Sequence, residues 1–222
     1  MWKVDQVLQI FAPFDCLGCQ KEGALLCRDC IVNCLPPAPD SCYKCRQPAQ
    51  QALCEVCRPH PTLLSVNVST AYKGVSQQLV GRLKFERTQA AAYIIGRIMD
   101  RRLPIYKDYV VVHVPTVAQR VRQRGYDQAQ LIARELARSR HLPYQSLLRR
   151  HGKTRQVGAN RQERLQQLQH AYYCPNPQLV AGKKVLLVDD VLTTGATIEV
   201  ASRVLKENGA KEVRAVLFAQ KI

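Results

Sequence analysis

Apolar residues recur at two different periods along this chain, and the alternation between them predicts the layout of its larger part. Val66 to Tyr72 is rich in β-branched residues and stops near Gly74, which is a strand signal. Val75 to Lys84 and Thr88 to Arg102 then carry apolar side chains at helical spacing: Leu79, Val80 and Leu83 in the first, Ala91, Ile94, Ile95 and Ile98 in the second. Tyr109 to Val114 is an unbroken apolar run closed by Pro115, which reads as a strand buried on both faces. Asp127 to Arg140 returns to helical spacing after a Gly-containing loop. Leu147 and Leu148 suggest a short strand. Residues 149 to 161, with Gly152 and Gly158 among basic side chains, read as an exposed, mobile loop leading into a helix near Arg161 to Gln169. Lys184 to Val188 is a second buried strand, Asp189 to Gly195 a loop, Ala196 to Asn208 a helix closed by Gly209, and Val213 to Phe218 a last strand. Strands alternating with helices predict an α/β fold with a mostly parallel sheet and flanking helices. Ligand sites in such sheets lie beyond the carboxyl ends of the strands.

The first quarter of the chain obeys a different rule. Four CxxC pairs occur there: Cys16/Cys19, Cys27/Cys30, Cys42/Cys45 and Cys54/Cys57. A CxxC turn lets two thiolates converge on one tetrahedral ion, and two such turns close a four-thiolate structural site, so eight ligands imply two zinc ions. Sequential pairing gives C-x2-C-x7-C-x2-C and then C-x2-C-x8-C-x2-C and is preferred; interleaving the first pair with the third and the second with the fourth is the alternative. A redox CxxC would need a single motif at a helix start. Cys34 and Cys174 stand outside the pairs and read as buried free thiols. Pro36, Pro37 and Pro39 form a stiff spacer, and Pro59 and Pro61 mark a boundary. The expected division is a double zinc-ribbon module over residues 1–62 and an α/β domain over 63–222. The module is scaffold or interaction surface, not catalyst. An apolar stripe of Val4, Val7, Leu8 and Phe11 ahead of it is expected to pack on the second domain.

Charge adds a partner class. The 222 residues carry a formal net charge of +16, and it is unevenly spread: residues 101 to 164 hold fifteen Lys or Arg against four acids. That excess favours an anionic partner, against the alternative of a basic face that only aids solubility. No export signal and no run of about 18 apolar residues is evident, so membrane insertion is not expected and the cysteines read as thiolates of a cytoplasmic protein.

The most informative stretch is VLLVDDVLTTGAT, Val185 to Thr197. Adjacent carboxylates at the end of a buried strand are costly to desolvate unless a polyhydroxylated ligand or a metal takes their charge, which makes Asp189 and Asp190 the candidate catalytic pair. Thr193, Thr194, Gly195, Ala196 and Thr197 put hydroxyls and backbone N–H groups at a helix start, a cradle for phosphate. A diol beside a phosphate describes a phosphorylated ribose. A second loop, from Pro115 and Thr116 through Arg120, Arg124 and Gly125, supplies cations and a pliant backbone for a further anion.

The segment Val185 to Thr197 resembles the 5-phosphoribosyl-1-pyrophosphate (PRPP) motif of type I phosphoribosyltransferases. The resemblance implies that Asp189 and Asp190 contact the ribose hydroxyls, Thr193 to Thr197 hold the 5-phosphate, Pro115 to Gly125 form the pyrophosphate loop, and Mg2+ enters with PRPP. The stretch Arg149 to Arg164 then becomes a hood with Lys153, Thr154, Arg155 and Gln156 near its tip, and Arg149, Arg150, Lys153, Arg155, Arg161 and Arg164 are candidate DNA contacts. The full layout, four CxxC pairs and then AYKG, LVGRLKFER, VPTVAQRVRQRGYDQAQ, RRHGKTRQVGANRQERL and VLLVDDVLTTGAT, resembles the ComF family of bacterial competence proteins. One departure is Gln167, where Asn is expected. The family implies a role in natural transformation, handling of incoming single-stranded DNA, and partners such as a DNA-translocating helicase. Purine-salvage relatives place an Asp general base where this chain has Thr193, so purine salvage is disfavoured. His113 reads as a polar strand-end residue, with an active role the alternative. Tyr106, Tyr109, Tyr126 and Tyr144 are candidate base-stacking residues, with core or surface packing the commoner role of such tyrosines. Two alternatives accompany the DNA-handling reading: an active phosphoribosyltransferase on an unidentified acceptor, and a non-catalytic regulator responding to PRPP.

Overall fold

The computed structural model describes residues 14–49, 52–57, 62–151 and 171–221. The stripe Val4, Val7, Leu8 and Phe11, the boundary prolines Pro59 and Pro61, and the hood positions from Gly152 through Lys153, Thr154, Arg155, Gln156, Gly158, Arg161, Arg164 and Gln167 lie outside those residues.

The apolar runs become a four-stranded sheet of β1 (Ser65–Ala71), β2 (Tyr109–His113), β5 (Lys184–Leu192) and β6 (Glu212–Gln220), in the order β1-β6-β5-β2 and parallel throughout. Because successive side chains alternate across a strand, each run feeds two cores. Tyr109, Val111, Leu186, Val188, Val216 and Phe218 face helices α2 (Val75–Phe85), α3 (Ala90–Arg102) and α5 (Gln128–Ser139), whose Leu79, Leu83, Ile95, Ile98, Ile132 and Leu136 are fully buried. Val110, Val112, Val185, Leu187, Ala215 and Leu217 face helix α6 (Ala196–Glu207) through Ile198, Ala201 and Leu205. Burying each such side chain contributes about 1.5–3 kcal/mol. Gly96 lets α3 and α5 meet closely, since a Cβ there would stand 2.6 Å from Glu135 Cγ.

The cysteine segments join this frame on both sides. Cys16, Leu25, Leu26, Cys30 and Leu35 belong to the core beneath α3, whereas Cys42, Tyr43, Ala52 and Leu53 belong to the core beneath α6. The connecting Pro36–Pro37 passes over β1, the edge strand: Thr70 Oγ1 donates to Pro36 O, and the Ala71 amide donates to Pro37 O. Arg102, at the end of α3, donates to the carbonyls of Ile31, Pro36 and Ser69 and fastens the crossing.

Several local expectations change. The strand Lys184–Val188 runs on through Leu192, because β6 continues to offer partners: Asp189 pairs with Leu217, Val191 with Ala219 and Leu192 with Gln220. The basic loop after Pro115 contains a helix, α4 (Ala118–Arg124), and a short helix, α1 (Arg28–Asn33), lies inside the first cysteine segment. Leu147 and Leu148 are buried but precede the short strand, β3 (Arg149–Arg150), which pairs antiparallel with β4 (Tyr172–Tyr173). Cys34 is exposed rather than buried, and Cys174 is half-buried.

Candidate functional site

Adjacent pairing of β2 and β5 sets two loops side by side at the carboxyl ends of their strands. The first opens at Pro115, held by the Val114 amide donating to Val188 O at 2.9 Å. Its shape is fixed by a residue whose role was hidden in the sequence, Asp127. That carboxylate accepts from the Thr116 amide at 2.7 Å and the Thr116 hydroxyl at 3.0 Å, and it caps α5 by accepting from the Ala129 and Gln130 amides. One side chain thus ties both ends of the loop together. Between them runs α4, ended by Gly125 in the left-handed region at φ +86. Arg120 on α4 is exposed. Arg124 is half-buried and donates to Gln128 Oε1 at 2.7 Å. Burial, then the repulsion of Arg120, lowers the Arg124 pKa, while Asp190 acts in the other direction.

Asp189 and Asp190 come next on β5. Asp190 is 4% exposed, and its Oδ1 accepts from Lys84 Nζ at 2.7 Å. Its other oxygen, Oδ2, is buried without a hydrogen-bond partner. A carboxylate oxygen left in this condition is costly, so the arrangement fits a site that expects a donor. Burial, and after it the neighbouring charge of Asp190, pushes the Asp189 carboxyl up to about 8, although the Asp190 amide and Lys84 pull the other way. Lys84 lies 106 residues before Asp190 in the chain, at the end of α2, and sequence reasoning missed it. The motif LVGRLKFER was visible, but nothing local marks its lysine as the partner of a distant acid.

Beyond Leu192 comes Thr193, exposed, then Thr194, half-buried, and the buried Gly195 and Ala196 that open α6, with Thr197 half-buried in its first turn. Gly195 sits at φ +77, which a side chain would strain. A Cβ there would also lie 1.9 Å from Tyr43 Cε2. The candidate residues of the two loops therefore share one end of the sheet, as expected. In β3, where the expected hood stretch begins, Arg149 is exposed, while Arg150 donates to the Tyr172 hydroxyl at 2.9 Å and lies over its ring.

Tyr106, Tyr109 and Tyr126 are at most 8% exposed and cannot offer a face to a base. Tyr144 bonds His113 Nδ1 at 2.9 Å. His113 is itself buried, and desolvation, opposed in part by Asp127, lowers its pKa and favours the neutral imidazole. Among the described residues, the exposed Phe and Tyr side chains are Phe85, 77% exposed at the end of α2, and Tyr173, stacked with His151.

The eight paired cysteines fall into two groups, Cys16, Cys19, Cys27 and Cys30, then Cys42, Cys45, Cys54 and Cys57, with all sulfurs in a group within 4.8 Å of one another. This is the sequential grouping. Sulfurs bound tetrahedrally at about 2.3 Å from zinc stand about 3.8 Å apart; Cys19 to Cys27 is 3.9 Å and Cys45 to Cys54 is 3.7 Å. Burial opposes ionisation of Cys16, but the amides of Cys19, Cys27 and Gly18 aimed at its sulfur outweigh it and draw the thiol down to about 6. Cys42 behaves in the same way, with burial outweighed by the amides of Cys54, Cys45 and Lys44. Burial and the surrounding thiols push Cys30 up, and hydrogen bonding with Cys45, then burial, raises Cys57 to about 12. Such a spread is expected of four thiols converging on a point that needs positive charge, and either group could hold a zinc ion.

Residues 121–222 match the family model of the phosphoribosyl transferase domain. The competence protein ComFC of Streptococcus pneumoniae is 25% identical over 198 residues, covering 88% of this chain and 87% of that protein. The DNA utilization protein YhgH of Escherichia coli K12 is 28% identical over 186 residues, covering 78% of this chain and 81% of that protein. Competence protein F of Haemophilus influenzae is 30% identical, covering 61% of this chain and 64% of its own length. Among solved structures, the allosteric regulatory enzyme of purine biosynthesis aligns at 23% identity and a TM-score of 0.43, over 58% of this chain and only 25% of that one.

The fold and the twin loops define the class: this is a protein with a phosphoribosyltransferase-type domain. With its paired four-cysteine clusters, the chain is similar over most of its length to competence protein ComFC and to DNA utilization protein YhgH.

Proposed function

We propose that this protein binds PRPP together with Mg2+ between the two loops, and handles incoming single-stranded DNA in the cytoplasm during natural transformation. The observation that carries the ligand reading is Asp190, a buried carboxylate with one oxygen on Lys84 and the other without a partner, one residue after Asp189 and immediately before a Thr/Gly loop. In this reading Asp189 and Asp190 take the ribose hydroxyls, and Thr193 to Thr197 take the 5-phosphate. Pro115, Thr116, Arg120, Arg124 and Gly125 then receive the pyrophosphate, with Mg2+ carried mainly by the ligand. Residues 63–222 supply the ligand domain, and 1–62, with a zinc ion in each cluster, the module that braces it. Calorimetric titration of PRPP with Mg2+ tests the site. Binding is expected in the wild type and weakened about tenfold or more in Asp190→Asn; no binding by the wild type would end this reading.

The DNA reading draws on the competence and DNA-utilization names of the relatives, and on a basic rim with an exposed aromatic in it. Phe85 stands among Arg82, Lys84 and Arg87, and Arg87 reaches across to the Gln123 carbonyl at 2.6 Å, joining this rim to α4 with its Arg120, Arg122 and Arg124. Ring stacking with flanking cations is how sequence-tolerant single-strand binding works, and stacking is worth about 1–3 kcal/mol per base. Fluorescence anisotropy with a labelled oligonucleotide should show affinity falling steeply with salt, and Phe85→Ala should weaken binding about tenfold. Salt-insensitive binding would overturn the DNA reading.

A further inference from the structure

The two cysteine clusters are built alike, but only the second reaches the candidate phosphate loop. Tyr43, between Cys42 and Cys45, is 3% exposed and lies against Gly195, leaving no room for even a Cβ: Tyr43 Cε2, Cδ2 and Cζ would stand 1.9, 2.4 and 2.9 Å from it. The Tyr43 hydroxyl donates to Glu199 Oε1 at 2.8 Å, and Lys44 Nζ lies 2.9 Å from the same oxygen. Glu199 is in the first turn of α6, and its amide donates to the Gly195 carbonyl at 3.0 Å. On the other side of the loop, Arg46 donates to Lys221 O, whose own amide donates to Leu192 O. The turn Cys42–Arg46 thus contacts the loop at Gly195 and α6 at Glu199, and reaches Leu192 through Lys221. A phosphate cradle made of backbone N–H groups works only while those groups point the same way, so whatever fixes Gly195 fixes the cradle.

We infer that Tyr43 is a positioning residue for the phosphate loop, and that through it the second four-cysteine cluster, and not the first, governs how firmly that loop holds a phosphorylated sugar. The inference rests on the reading of Thr193 to Thr197 as the 5-phosphate loop. In the first cluster the equivalent position is Leu17, which packs into the core beneath α3 and has no such contact to transmit. Coupling of this kind is reciprocal: a sugar phosphate that orders the loop also tightens the equilibrium binding of metal to the second cluster.

The experiment uses the full zinc-loaded chain with Tyr43→Leu, Tyr43→Phe and Leu17→Ala, and confirms by metal analysis that each keeps the wild-type zinc content. Hydrogen–deuterium exchange over residues 193–199 is read without ligand, and ribose 5-phosphate and PRPP with Mg2+ are then titrated by calorimetry. Tyr43→Leu should speed exchange in this segment and weaken both ligands about tenfold. Tyr43→Phe, which keeps the ring on Gly195, should recover most of that loss, and Leu17→Ala should leave the segment as in wild type. If Tyr43→Leu does not fold, Glu199→Gln replaces it, removing the charged acceptor without touching the cluster. Wild-type exchange and affinity in Tyr43→Leu, or equal loosening by Leu17→Ala, overturns the inference while PRPP binding stands. If the wild type binds neither ligand, the PRPP reading fails, and the exchange data alone decide whether Tyr43 fixes the loop.

Discussion

The two cysteine modules repeat one local design at different ends of the same frame. In each, the first cysteine amide donates to a carbonyl five residues on, Cys16 to Lys21 and Cys42 to Gln47, and its carbonyl accepts from a left-handed residue four on, Gln20 and Arg46. Each module carries a single antiparallel bridge, Asp15 to Glu22 and Ser41 to Pro48. They differ at the position just after the first cysteine: Leu17 joins a hydrophobic core, whereas Tyr43 buries its ring against Gly195 and keeps its hydroxyl for Glu199. One scaffold therefore serves stability on one face of the sheet and positioning on the other, and a single side chain sets the difference.

The strongest way to break the comparison is to remove one ligand from each cluster. Cys30→Ser and Cys57→Ser should each lower bound zinc from about two ions per chain to about one, and cost about 3 kcal/mol or more of stability. Only Cys57→Ser should also blunt the rise in melting temperature given by PRPP with Mg2+; metal analysis and thermal melts check both. The next effect comes from two glycines. Gly195→Ala would push into Tyr43 in a left-handed conformation, and Gly18→Ala would place a Cβ 2.5 Å from Cys30 Sγ. Each should destabilise by about 2–4 kcal/mol, the first losing ligand binding and the second losing metal from its own cluster.

A smaller effect sharpens the comparison through pH. The Asp189 carboxyl is raised to about 8 in the folded protein, from an ordinary 3.8, by burial and by Asp190. Between those values the folded state keeps a proton that the unfolded state has released, so stability of the ligand-free protein falls as pH rises from about 4 to about 8. Asp189→Asn should flatten that slope, raising the melting temperature at pH 8 by about a few degrees, while Leu17→Ala leaves the slope in place. Smallest of all is Lys44→Ala, whose ion pair with Glu199 is partly exposed and should be worth about 0.5 kcal/mol in a denaturant titration.

The residues explain why some of this is legible in the sequence and some is not. Strands such as Tyr109–His113 and helices such as Ala196–Glu207 announce themselves because burial imposes a period, and CxxC spacing is imposed by one tetrahedral ion. The end of β5 escapes such reading because two adjacent acids look like a loop. What keeps them in a strand is β6, which lies beyond α6 in the chain and pairs as far as Gln220. The helix α4 is hidden by its basic surface, which buries no residue fully and carries no apolar stripe. Lys84 with Asp190, and Tyr43 with Gly195, meet across long stretches of chain, and no local spacing encodes such a meeting. The tyrosines took the commoner of their two readings: rings in a basic segment could serve stacking or packing, and Tyr106 and Tyr109 pack edge to face in the core.

The strand order carries a consequence for how the molecule assembles. β6, residues 212–220, is the last strand in sequence and lies between β1, the first, and β5. Until it is in place, β1 has no neighbour in the sheet, and the proline crossing over β1 has nothing firm to cross. The early cysteines can gather metal locally, but both clusters gain their final seats only when the latest segment closes the sheet. Pairings of such high sequence separation slow folding, because loop closure must be met before the contacts that reward it form. Supplying zinc during refolding should therefore organise the two cysteine turns well before the sheet is complete.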